Sequence, residues 1–189
     1  KGVSMGQDAA RDGGGAGGAA TTATVTRNDE EVSSALVVTL ASDDASEANV
    51  PTTVTILAGQ ASVTFDIDAI DDALVDGTKT PTIPASATGY SNGTDTLDVT
   101  DDDSKALSMV IDAASISEGA GAAATTATVT RNDEDLSSAL VVTLASDDAS
   151  EANVPTTVTI LAGQASVTFD IDAIDDALVD GTKTPTITA

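Results

Sequence analysis

The sequence predicts an all-β protein of two tandem antiparallel β-sandwiches, and three observations carry that prediction. The first is a repeat. Shifting the 189-residue chain by 104 lays Ala19–Ala85 onto Ala123–Ala189, and only positions 31, 32 and 84 differ from their partners. A period that long is one whole domain, not one turn of a solenoid or one propeller blade. The second is patterning: short apolar runs alternate with period two, with Thr on the wet positions and no helical period anywhere. The third is the palette. Aromatic residues are limited to Phe65, Phe169 and Tyr90, so each core must be built from Val, Ile, Leu and Ala. The expected domains are residues 1–104 and 105–189, with residues 1–18 a diverged or flexible lead to the first.

Seven strands, A to G, are expected in a complete copy. The lead aligns with Lys105–Ala122, where Leu107–Asp112 and Ser115–Gly119 read as a kinked strand A. In the first copy Gln7 replaces Ile111, Asp12 replaces Ile116 and Gly14 replaces Glu118, so the pattern weakens. Its glycine run, Gly13–Gly18, has no nonapeptide Asp and is no calcium-binding β-roll. Strand B, Thr21–Arg27, turns Ala23 and Val25 inward. Strand C, Ala35–Ala41, does the same with Leu36, Val38 and Leu40. Strand D, Thr52–Leu57, carries Val54 and Ile56. Strand E, Ser62–Ile70, carries Val63, Phe65, Ile67 and Ala69, with Asp66 and Asp68 facing out. Strand F, Thr78–Ala85, is weak around Ile83, because Pro81 (and Pro185) stands where alternation wants an apolar residue and removes a ladder donor. Either pairing starts after the proline or the strand is distorted. Strand G, Thr94–Thr100, turns Leu97 and Val99 inward.

Composition narrows the function classes. Net charge is −24, with no His and no Cys. Such a surface repels nucleic acid and anionic membranes, and disulfides and Cys or His metal sites are excluded. The acids are 25 Asp against 6 Glu, a bias suited to turns and oxygen-ligand metal sites. No apolar run approaches the ~20 residues of a membrane span, and no signal peptide is visible. A chain starting at Lys1 is expected to be a piece of something longer.

The acids are not scattered. With strands running alternately up and down, the A–B, C–D and E–F loops share one pole with the end of strand G. The C–D loop holds Asp43, Asp44 and Glu47, the E–F loop holds Asp71, Asp72 and Asp76, and strand G ends in Asp101, Asp102 and Asp103. Glu118 takes the equivalent A–B position in the second copy. Adjacent carboxylates repel, so ordering them calls for a cation or abundant water. Clustered hard oxygens suit Ca²⁺, which takes about six to eight of them in loose geometry, better than Mg²⁺. The plain alternative is a solvated acidic turn, and for Asp43, Asp44 and Glu47 a polar turn is the favoured reading. An EF-hand is excluded, since Asp66-x-Asp68 is followed by Ile70 without the required Gly and closing Glu.

Several spaced motifs carry a family resemblance: Ser117-Glu-Gly-Ala-Gly121, Ile70-Asp-Asp-Ala-Leu-Val-Asp76-Gly, Ala87-Thr-Gly-Tyr90 and Leu97-Asp-Val-Thr-Asp-Asp-Asp103. Together they resemble the Calx-β module, found in sodium–calcium exchangers and in large bacterial surface proteins, and the likeness spans both copies almost end to end. The resemblance implies an immunoglobulin-like sandwich with Ca²⁺ bound at one pole. Its implied ligands are Asp71, Asp72, Asp76, Asp101, Asp102 and Asp103 in the first copy, and Glu118, Asp175, Asp176 and Asp180 in the second. Neither copy has the full set. Gly14 stands where the first should have its Glu, and the second lacks counterparts of Ser86–Ser104, the triplet included.

The expected function is a calcium-binding structural spacer of a long extracellular or cell-surface, adhesin-like protein. Calcium would stiffen the domain junctions, with the acids of one copy near Asn132–Asp135 of the next. Neighbouring repeats, or identical chains, are the expected partners, with no nucleic acid and no membrane insertion. Two other readings stay open: a subunit of an extracellular filament that exchanges strands at the bare edge Thr182–Thr188, and a calcium-dependent glycan- or protein-binding module. Catalysis is not expected. The carboxylates lie on loop tips with no His, Cys or Trp beside them and almost no aromatic surface to hold a sugar. Asn92-Gly-Thr94 is a glycosylation sequon that reads first as a turn, and Tyr90 is expected to pack under the F–G turn.

Overall fold

A computed structural model describes residues 1–7, 19–30, 32–179 and 181–189. The chain divides into two units, Lys1–Ala73 with Gly77–Asp102, and Leu74–Asp76 with Asp103–Ala189. Asp12, Gly14 and the glycine run lie outside the described residues, as does Asp180.

The first unit contains β1 (Val3–Gln7), β2 (Ala19–Arg27), β3 (Leu36–Leu40), β4 (Ala48–Asn49), β5 (Thr53–Ile56), β6 (Ser62–Ala69), β7 (Thr82–Ser86) and β8 (Gly93–Thr96). They form two four-stranded sheets, in the orders β1-β2-β6-β4 and β5-β3-β7-β8, and every strand pairing is antiparallel. This is the immunoglobulin-like antiparallel β-sandwich that the alternation predicts. Ala23, Val25, Val38, Ile56 and Ile67 are fully buried between the sheets, with Phe65 and Leu40 nearly so. Their wet-face neighbours are Thr: Thr24 and Thr64 share a 3.0 Å hydroxyl hydrogen bond across the β2–β6 pair.

Three details differ from the expected strand list. Residues Val3–Gln7, inside the weakly patterned lead, form a strand, with Val3 paired to Arg27 and Gln7 to Ala23. An edge strand needs only its backbone and one anchored side chain, and Val3 supplies the anchor by being buried. Strand D is two pieces. β4 pairs with β6 in one sheet and β5 with β3 in the other, so the chain changes sheets at Val50-Pro51, where proline cannot donate to either ladder. Strand F begins only at Thr82, one residue after Pro81. The buried Pro81 still accepts a 3.1 Å hydrogen bond from the Leu97 amide through its carbonyl, so the missing N–H costs the ladder nothing.

The second unit contains β9 (Leu107–Ile111), a 3₁₀ turn (Glu118–Ala120), β10 (Thr125–Arg131), β11 (Leu140–Thr143), β12 (Ala145–Ser146), β13 (Ala152–Asn153), β14 (Thr157–Ile160), β15 (Ser166–Ala173) and β16 (Ile187–Thr188). One sheet is complete, β13-β15-β10-β9, but the other is only the pairs β11-β14 and β12-β16. The core repeats that of the first unit, around Ala127, Val129, Val142, Ile160, Phe169 and Ile171. Strand F, expected over Thr182–Thr188, is reduced to Ile187–Thr188, because among the described residues it has a ladder partner on one side only.

Candidate functional site

Backbone contacts gather the acidic loops of the first unit at one end. The Ile70 amide, opening the E–F loop, donates to the Glu47 carbonyl of the C–D loop at 2.8 Å. The Asp43 amide donates to the Thr82 carbonyl at 3.1 Å, and the Thr82 amide returns a 2.7 Å hydrogen bond to Asp43 Oδ1. Behind strand G, Lys79 and Val99 exchange two 2.9 Å backbone hydrogen bonds, and Thr80 Oγ1 donates to Asp98 Oδ1. The Gly77 amide donates to Asp101 Oδ2 at 2.9 Å, tying the end of the E–F loop to the triplet. Gly77 has φ +73°, a backbone that side chains disfavour, so glycine fits this position.

The individual acids fall into two groups. Asp43 is committed to Thr82, and Asp44 Oδ1 accepts from the amide and hydroxyl of Ser46, so this loop is the polar turn that the sequence suggests. Asp147 and Asp148 repeat both arrangements. Asp71, Asp72 and Asp102 are exposed, while Asp101 is half-buried. Asp71, Asp72, Asp101 and Asp102 belong to the first unit, whereas Asp76 and Asp103 belong to the second. In that second unit Glu118 and Glu151 line a groove of about 490 Å³, together with Leu178, Val179 and Lys183. Asp175 and Asp176 are exposed, and Asp176 Oδ1 accepts the Leu178 amide at 2.6 Å.

The donor chemistry, all carboxylate and carbonyl oxygen, suits a hard cation. The spacing is not that of an assembled ligand set: among the described residues, no three acids come close enough together to hold an ion.

In solved structures the chain is similar to CBD12 from CALX1.2, with 14% identity over 84% of this chain and 69% of that one and a TM-score of 0.36. It is also similar to the calcium binding domain CBD12 of CALX1.1, with 13% identity, 82% and 69% coverage and a TM-score of 0.34. A third likeness is to the *E. coli* chaperone DraB, with 10% identity, 79% and 77% coverage and a TM-score of 0.31. No family model and no curated protein matches the chain. None of these likenesses informs the ligand set, which rests on the chain's own carboxylates.

The other end of the first unit is held by a residue that sequence reasoning did not single out. Arg27, at the end of β2, is 4% exposed. Its Nε donates to the Gln60 carbonyl at 2.9 Å, Nη1 to Ser34 at 2.8 Å, and Nη2 to Gln60 at 2.5 Å and Val32 at 3.2 Å. One guanidinium fork thus fastens the B–C loop to the D–E turn. Beside it Asp29, its side chain 5% exposed, takes Lys1 Nζ at 3.1 Å and has Arg27 Nε at 3.9 Å. The Tyr90 hydroxyl donates to Asp29 Oδ2, and the ring packs against the core, so the F–G turn is anchored by more than the expected packing.

This arrangement has a pH consequence. The Tyr90 hydroxyl, followed by Lys1 and Arg27, holds the Asp29 carboxyl below the usual carboxylate range, against a smaller opposing effect of burial. A carboxyl depressed by folding stabilises the native state above its unfolded pKa, and that contribution disappears as pH falls through the folded value. Tyr90→Phe is therefore expected to lower the melting temperature at neutral pH, with the gap to the parent narrowing below about pH 4 as Asp29 takes up its proton. Thermal melts of both proteins from neutral pH downward check this; a gap that stays constant with pH would contradict it.

Proposed function

We propose that the chain is a structural spacer built of tandem β-sandwiches, and that its acidic pole binds Ca²⁺. One observation supports the reading most: the Gly77–Asp101 hydrogen bond brings the E–F loop against the triplet, while Ile70–Glu47 brings it against the C–D loop. Asp71, Asp72, Asp101 and Asp102 would be the first unit's share of the ligands, and Glu118, Asp175 and Asp176 the second's. Because the acids are not gathered around a point, binding would have to draw the loops together. Repulsion among them would fall as it did so.

The repeat supports the spacer half of the reading. Two copies this similar add length and stiffness rather than new chemistry, and a bound cation would stiffen such an array further. A surface of net charge −24 suits a stalk that must not collapse on its neighbours. An extracellular or cell-surface setting, where free Ca²⁺ is plentiful, belongs to the same proposal, and the carboxylates are assigned no catalytic role.

Calcium is expected to stabilise the chain without being needed for its strands. A ligand at 100 times its dissociation constant adds about 2.7 kcal/mol, enough to raise melting by several degrees. The rise should be reversed by chelator and absent with Mg²⁺ at the same concentration, while far-ultraviolet circular dichroism stays unchanged. An unchanged melt up to millimolar calcium would remove the metal from the proposal.

A further inference from the structure

The two units bear nearly the same residues in different surroundings. In the first, the chain after β7 folds back over the start of β1. The Ser91 amide donates to the Lys1 carbonyl at 2.9 Å, the Val3 amide donates to the Ser91 carbonyl at 3.1 Å, and the Tyr90 hydroxyl meets Asp29. β8 then covers the free side of β7, pairing Thr82 with Thr96 and Ala85 with Gly93. At the crossing, the backbones are so close that a Cβ on Gly93 would lie 2.4 Å from the Val3 carbonyl oxygen.

In the second unit the counterparts of the residues beneath this segment line an open groove of about 440 Å³, with Lys105, Leu107, Arg131, Asp133 and Leu140 among them. Val3 is 5% exposed, but Leu107, in its place, is 39% exposed. Leu36 is half-buried, whereas the identical Leu140 is 37% exposed. β7 is paired on both sides, while β16 pairs only with β12 among the described residues.

We propose that this flank of the second unit is a docking site for one strand segment of the repeat's own sequence, Ser86–Ser104, supplied by another molecule. The first unit specifies both occupant and register. The segment's Ser91 would exchange backbone hydrogen bonds with Lys105 and Leu107, and its Tyr90 hydroxyl would reach Asp133. Its Gly93 would cross over Leu107, and Gly93–Thr96 would pair with Thr186–Ala189. The lining is prepared for it: Arg131 is anchored by carbonyls of Gln164 and Ser138, as Arg27 is by theirs, and the Lys105 ammonium already holds the Asp133 carboxylate. Paired backbone supplies affinity and the alternate side-chain pockets supply selectivity. The docking is independent of the calcium reading.

The test adds a synthetic peptide of the Ser86–Ser104 sequence to the whole chain and follows binding by calorimetry and by melting. Saturable binding with a raised melting temperature is expected. A Tyr90→Phe peptide, which loses a hydrogen bond to a charged acceptor, should bind about tenfold more weakly, and a Gly93→Val peptide should not bind measurably. A chain extended at its C-terminus by the same segment should fill its own groove and stop taking the peptide. The proposal is overturned if the parent peptide does not bind at millimolar concentration or if the Gly93→Val peptide binds as well. It is equally overturned if an unrelated strand, Thr52–Leu57, competes equally, or if the extended chain still binds.

Discussion

Replacing Arg27 with alanine is expected to destabilise the first unit by about 3–5 kcal/mol, the range for removing one partner from a buried charged pair. Domains of this size are stable by only about 5–15 kcal/mol, so the unit should be close to unfolding at ambient temperature. The loss has two sources. The carbonyls of Gln60, Ser34 and Val32 lose their donors in a place water reaches poorly, and Asp29 loses its neighbouring cation. Arg27→Lys keeps the charge but not the fork, and should fall between the two. Arg131 makes a similar set of contacts, to Gln164 and Ser138, without the tyrosine-bound carboxylate beside it, so Arg131→Ala should cost less. Denaturant titrations of the three variants check this. A cost below about 1 kcal/mol for Arg27→Ala would mean that the fork is no more than surface hydrogen bonding.

The strands were legible because burial in a sandwich imposes period two on the sequence. Ala23, Val25, Val38, Ile56, Phe65 and Ile67 all point inward as their parity requires. The same parity held a cue to Arg27, which follows Ala23 and Val25 on the inward face. A charged strand end reads as solvent-facing unless its five donors are matched to loop carbonyls that no sequence pattern marks. The two-residue strand β4 was not legible, since two residues carry no period. Nor was β1, whose pairing is supplied by backbone groups common to every residue. For Pro81, the reading that pairing starts after the proline agrees with the structure. Among the acids, the turn roles of Asp43 and Asp44 could be read from Ser-Asp-Asp-Ala-Ser chemistry. The placing of Asp101 against Gly77 depended on a contact between residues 24 positions apart, which alternation does not encode.

The second large effect concerns the triplet. Asn matches Asp in size but carries no charge, so replacing Asp101, Asp102 and Asp103 with Asn preserves the chain's shape while removing three of the anionic oxygens proposed for calcium. A hard cation loses most of its affinity when carboxylates become amides, and a fall of at least about tenfold, roughly 1.4 kcal/mol, is expected. The same substitution should stabilise the calcium-free protein slightly, since three adjacent like charges no longer repel. Opposite signs in the two conditions separate a binding site from a merely acidic turn. Calorimetric titration of the parent and the Asn variant with CaCl₂, at fixed ionic strength and with MgCl₂ as control, tests the calcium pole most directly. The account predicts a saturable calcium isotherm in the parent that is weakened at least about tenfold in the variant, with no matching magnesium isotherm. Identical calcium isotherms in the two proteins, or none in the parent, would contradict it.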